Sequence, residues 1–191
     1  MKHGTNEKPN NNVKHTSTLV WIDLEMSGLD PYSDTILEIA TIITDNNLRL
    51  IKEGPSLVIH EKDETLARMS KQVIALHEKS NLITAVKNSK ITLQDAEAQT
   101  YAFITKYAEK NSPLCGNSVW NDRNFLARYM PRIISYLHYR IIDVTTIKEL
   151  VTRWYPHDPE IEYHKRETHR ALEDIRESIA ELKHYRRTFF I

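Results

Sequence analysis

The stretch Leu19-Val20-Trp21-Ile22-Asp23-Leu24-Glu25 ends an apolar run with two carboxylates one residue apart. In an extended chain alternate side chains share a face, so Asp23 and Glu25 point one way and Leu24 the other. Their Cα atoms lie about 7 Å apart at about 3.3 Å rise per residue. From that spacing both side chains reach divalent ions about 3.5–4 Å apart, the separation of two-metal phosphoryl chemistry. The same pair also reads as two surface acids at a strand end. What separates the readings is whether the chain supplies partners. Unpaired ionised carboxylates beside a buried strand are costly, and a cation removes that cost.

Three residues are candidates. Asp122 follows a short apolar segment, Leu114-Cys115, near a helix start; taken alone it is equally a cap or first-turn acid. Asp174 adjoins the apolar stripe of the last helix, where a solvated helix acid is the plain alternative. His169 lies five residues before Asp174. As one of nine histidines it has a surface or capping role by default. Beside a metal site it would serve as a general base, its unperturbed pKa being about 6.5. Together the four acids would hold two ions that activate water and compensate charge on a phosphate.

The elements that must position these residues follow from patterning. Leu19 and Trp21 face one way and Val20, Ile22 and Leu24 the other, as in a strand covered on both faces. Thr35–Thr44 predicts a second strand, and Leu48–Ile59 a third, interrupted near Gly54-Pro55. Short turns between them suggest an antiparallel meander. A helix is expected over Asp63–His77. A second begins at the capping box of Thr92 and Asp95 and runs to about Glu109. Strands at Leu114-Cys115 and Arg140–Val144 alternate with helices, and Thr168 is expected to cap a final helix to about Tyr185. Its core stripe is Ala171, Ile175, Ile179 and Leu182. The polar, Asn-rich residues 1–17 read as a disordered tail, and 18–191 as one α/β domain with a mixed sheet. Active sites in such sheets lie at the carboxyl ends of strands, where Asp23 and Glu25 fall.

Composition narrows the function. Lys plus Arg equals Asp plus Glu, 26 each. That balance argues against holding long nucleic acid by bulk charge, though not against a short one gripped by a few placed cations. A single cysteine, Cys115, excludes an intramolecular disulfide and a thiolate zinc cluster. No segment approaches the length of a membrane span, and no signal-peptide core or Arg-rich leader is present, so a cytoplasmic location is expected.

Asp23-Leu24-Glu25-Met26-Ser27-Gly28-Leu29-Asp30, Cys115-Gly116-Asn117-Ser118 with Asp122, and His169-x-x-x-x-Asp174 resemble the DEDDh exonucleases. Within them the chain resembles the oligoribonuclease family over about Leu19–Phe189. Further matching runs include Glu38-Ile39-Ala40-Thr41, His138-Tyr139-Arg140 and Asp174-Ile175-Arg176-Glu177-Ser178. The resemblance implies a ribonuclease H-like fold, a mixed sheet flanked by helices. It also implies a homodimer and 3′-to-5′ hydrolysis of short RNA, down to dinucleotides, with Mg²⁺ or Mn²⁺. It assigns Asp23, Glu25, Asp122 and Asp174 as metal ligands and His169 as the general base. Leu29 becomes a wedge between two bases, and Ser118, Arg140, Thr145 and His77 lie around the substrate's 5′ phosphate. Tyr139 belongs to the active site, reached across the dimer interface. One departure stands out: where the family usually carries a tryptophan that stacks on the 3′ base, this chain has Gln72.

Two other functions compete: a DNA-proofreading or tRNA-trimming exonuclease, and a non-catalytic nucleic-acid-binding module. The charge balance and His138-Tyr139-Arg140 favour the short-RNA enzyme over the first. Retention of all four acids and His169 argues against the second, because acids that bind no metal would only repel one another.

Overall fold

Strand β1 (Thr18–Met26) takes the central place in a five-stranded sheet, between β2 (Ile36–Asp45) and β4 (Leu114–Gly116). β3 (Leu50–Val58) and β5 (Ile141–Asp143) form the two edges. The first three strands are an antiparallel meander, and β4 and β5 run parallel to β1, so the sheet is mixed. This computed structural model describes residues 16–164 and 169–190.

The alternation of β1 sorts the two cores. Val20, Ile22 and Leu24 pack under α4 (Leu93–Tyr107), α5 (Trp120–Tyr129) and α6 (Pro131–Tyr136), against Ile104, Phe125 and Ile133. Leu19 and Trp21 face α7 (Val144–Trp154) and α8 (Ala171–Phe189), against Val151, Ala171, Ile175 and Ile179. Trp21 is fully buried, and its indole N–H donates to the Thr44 hydroxyl at 3.0 Å. Burying each such side chain stabilises the fold by about 1.5–3 kcal/mol. A one-residue slip of β1 would turn Asp23 and Glu25 into the α5-side core, so the apolar pattern fixes the acids on the α8 side.

The capping box at α4 forms as expected: Asp95 N–H donates to the Thr92 hydroxyl, and Thr92 N–H to the Asp95 carboxylate. Elsewhere local detail differs from the sequence reading. β3 is not interrupted at Gly54-Pro55 but bulges there, those two residues standing opposite Thr41 alone. Pro55 has no N–H for the ladder, and Gly54 leaves room for Phe103, whose ring would lie 2.5 Å from a Cβ at that position. The helix expected over 63–77 is two, α1 (Asp63–Leu66) and α2 (Lys71–Lys79), with Ser70 accepting from Val73 N–H to cap the second. An unexpected helix, α3 (Leu82–Asn88), joins them in a small third core of Leu37, Leu66, Met69, Leu82 and Val86. Thr168, expected to cap α8, lies outside the described residues; the N-cap position is Arg170. Most of the polar N-terminal tail also lies outside them, while Asn46 donates to the Thr16 carbonyl at 2.9 Å. No helix among the described residues is long and apolar enough to cross a membrane.

Candidate metal centre and active site

Three of the expected acids meet. Carboxylate oxygens of Asp23, Glu25 and Asp174 all lie within 4.8 Å of one another. β1 supplies two of them at its carboxyl end, and the first turn of α8 brings the third across the face. Asp122, in the first turn of α5, is buried beside them. One of its oxygens accepts the backbone N–H of Leu24 at 2.9 Å.

The acids raise one another's proton affinity. Burial pushes Asp23 well above the usual carboxylate range, with Asp122, Glu25 and Asp174 adding to the shift. Glu25 is pushed up to about 8, by burial first and then by Asp174 and Glu38, with Arg170 opposing. Asp122 rises to about 7 through burial, against the lowering effect of the Leu24 N–H bond. A cluster of oxygen donors that resists ionising alone is chemically suited to a hard divalent cation, which replaces the protons.

His169 is half-buried and has a left-handed backbone, φ 51°. The next residue, Arg170, forks onto Glu38 of β2 through Nε (3.0 Å) and a terminal nitrogen (2.9 Å). Glu38 is 1% exposed and lies directly opposite Glu25 in the β1–β2 ladder. No functional role for Glu38 or Arg170 was read from the sequence. A signal existed: Glu38 falls on the same inward face of β2 as Ala40 and Ile42, and a buried carboxylate there demands a cation.

His77 sits on α2, buried at the Glu25 end of the site. One ring nitrogen is 2.8 Å from the Met26 carbonyl, and the other is 3.7 Å from the Glu25 carboxylate. Burial lowers its pKa, opposed by the Met26 bond. Leu29 is 72% exposed at the tip of the loop after β1. Asp34 closes that loop by accepting from the Ser27 hydroxyl and the Asp30 N–H, and Tyr129 donates to the Asp34 carbonyl. The Asp34 carboxylate fills the space a Cβ on Gly28 would need. Gln72 is exposed on α2.

Ser118 and Thr145 are in contact. The Ser118 N–H donates to both the Asp143 carboxylate and the Thr145 hydroxyl, each at 2.9 Å. Asp143 also accepts the Thr145 N–H and so caps α7. Thr145 donates in turn to Asn117, which reaches α8 through Ser178 and Glu181. A groove of about 320 Å³ opens here, with Arg153 and Trp120 among its walls. Tyr139 and Arg140 are exposed, the guanidinium 5.4 Å from the ring centroid, and neither lines that groove.

Comparison with known proteins places this geometry. The family model RNase_T, described as Exonuclease, matches residues 20–182. An oligoribonuclease from Pseudomonas syringae pv. tomato is 51% identical over 178 residues, 93% of this chain and 98% of that one. Another, from Pasteurella multocida, is 52% identical over 90% of this chain and 93% of its own length. The chain belongs to the oligoribonuclease family. The resemblance read from the sequence is thereby borne out, and so is the ribonuclease H-like mixed sheet. E. coli exonuclease I, solved with an oligonucleotide, superposes with a TM-score of 0.69 at 17% identity. It matches 92% of this oligoribonuclease-family chain and 42% of the exonuclease I chain, a likeness of fold alone.

Proposed function

We propose that the chain is a 3′-to-5′ exoribonuclease of the cytoplasm that hydrolyses short oligoribonucleotides, dinucleotides above all, to 5′-mononucleotides. The observation that carries the reading is the convergence of Asp23, Glu25 and Asp174 within 4.8 Å, with Asp122 beside them, in a chain half identical to oligoribonucleases.

Asp23, Glu25, Asp122 and Asp174 would hold two divalent ions, Mg²⁺ or Mn²⁺, which suit an all-oxygen donor set. Bound there, such ions supply charge compensation for the phosphate and a more acidic water. His169 takes the proton of the attacking water. Leu29, exposed on a loop closed by its own hydrogen bonds, separates the two bases. Ser118, Thr145 and Arg140 hold the 5′ phosphate by charge-assisted and hydroxyl hydrogen bonds, which also bars a longer strand. His77, which the resemblance assigns to the same group, stands instead against Glu25 and the Met26 carbonyl.

Tyr139 and Arg140 would complete the site of a second copy. Trp120, 55% exposed, lines a groove with Ile141 and Ile142 of the edge strand β5 and with Ile147 of α7, an apolar face suited to a homodimer. Enrichment in large aromatics is a mark of interface cores.

The test offers 5′-labelled RNA of two, five and twenty nucleotides, with matching DNA, in Mg²⁺, in Mn²⁺ and in chelator. Metal-dependent cleavage fastest on the RNA dinucleotide is expected. Preference for DNA or for the twenty-mer overturns the proposal.

A further inference from the structure

His169 occupies a conformation that needs an external cause. A left-handed backbone costs a non-glycine residue about 1–2 kcal/mol and persists where the surroundings over-determine it. The residues that follow it are held from outside their own helix. Arg170 stands at the N-cap of α8 in an extended conformation and offers no side-chain cap. Its guanidinium is instead clamped on both oxygens of Glu38, at 3.0 and 2.9 Å. Glu38 also accepts the Ala171 N–H at 3.4 Å, satisfying one open donor of the helix from a different element. Ser56 on β3 donates to the same carboxylate at 3.2 Å, so Glu38 is itself fixed.

Glu38 and Glu25 are cross-strand partners. The strand pair that presents the metal-binding acids therefore also anchors the residue after His169. We propose that the Glu38–Arg170 fork is a positioning pair: it aligns His169 with the Asp23–Glu25–Asp174 cluster by fixing the turn into α8. This rests on the catalytic reading of His169 above.

The competing view is that Arg170 merely neutralises a buried carboxylate. Removing Arg170 alone would leave Glu38 buried and uncompensated, a strongly destabilising state. The informative variant is therefore the double replacement Glu38→Met with Arg170→Leu, which removes both charges. The expected result is a melting temperature and Mn²⁺ affinity close to wild type, an unchanged KM for an RNA dinucleotide, and kcat lower by about 10- to 100-fold, the scale of a small misplacement. In a His169→Ala background the same double replacement should lower kcat no further. A double variant with wild-type kcat, or an equal loss without His169, overturns the proposal. Should the double variant not fold, Arg170→Lys keeps the charge and loses the fork. A reduced kcat at constant KM is expected there, and wild-type kcat overturns the proposal.

If the wild-type protein cleaves no RNA, the catalytic reading fails, and the pair is then judged by the His169 imidazole NMR signals. One sharp set in the wild type and broadened signals in Arg170→Lys support positioning; identical spectra overturn it.

Discussion

The Leu24 backbone N–H donates to the Asp122 carboxylate at 2.9 Å. Leu24 is the residue between Asp23 and Glu25, and its side chain points into the opposite core. The bond therefore fastens the acid of α5 to the strand that presents the other two, from within the backbone. It also spends part of the Asp122 carboxylate's accepting capacity on the protein itself, beside a bond from Asp122's own N–H.

Asp23→Asn removes a donor and a repulsive charge together. Activity in Mn²⁺ should fall at least about 100-fold, the scale for losing one preorganised electrostatic group. The melting temperature in chelator should stay level or rise, because Asp23 is crowded by other carboxylates. Steady-state rates and chelator melts on the same preparation check both halves.

The raised acids give the metal-free protein a defined pH response. Glu25 binds its proton up to about 8 in the folded state, against an ordinary 4.5. The folded state therefore holds more protons than the unfolded one across that window. This contribution to stability is fully present below 4.5 and is lost as pH rises towards 8. Asp122, raised to about 7, acts in the same direction. Saturating divalent metal should raise the melting temperature more at pH 8 than at pH 6. Calorimetry in two buffers at pH 6.5 should show proton release on binding.

Asn117→Ala cuts the link from the β4–α5 turn to α8. It strands Ser178 and Glu181 without one donor each, at a cost of about 1–3 kcal/mol. Denaturant unfolding should show that loss, and KM for 5′-phosphorylated dinucleotides should rise as Ser118 loosens.

Arg140→Ala should weaken cleavage of 5′-phosphorylated dinucleotides by about 10- to 100-fold, the worth of a hydrogen bond to a charged group. Dinucleoside monophosphates, which lack that phosphate, should be cleaved as before. Matched assays on the two substrates read the difference, and an equal loss on both would remove Arg140 from the phosphate site.

Gly54→Ala places a methyl group 2.5 Å from the Phe103 ring. Overpacking of this kind costs about 1–3 kcal/mol. Thermal unfolding should show it, with activity at low temperature unchanged.

Much of this was legible in the chain because its causes are local. Alternation along β1 assigned Leu19 and Trp21 to one core and Val20, Ile22 and Leu24 to the other, and so put Asp23 and Glu25 on one face. Thr92 and Asp95 announced the start of α4. What stayed hidden depends on contacts distant in sequence. Glu38 and Arg170 are separated by 132 residues, and nothing near Arg170 shows that the first turn of α8 is held from β2. The break between α1 and α2 carried a weak sign in Ser70. The helix α3 exists because Leu82 and Val86 find Leu37 and Met69, a tertiary cause.

The loop that carries Leu29 is shaped before any substrate arrives. Asp34 occupies the space left by Gly28 and bridges Ser27 to Asp30, so the tip has little conformational freedom to surrender. If Leu29 meets the bases as proposed, the entropy of ordering would fall on the RNA alone, and a dinucleotide has the fewest torsions to freeze. Length preference in such a protein is then partly a matter of rigidity. On that reading, a longer substrate would have more torsions to freeze, with no compensating saving from this loop.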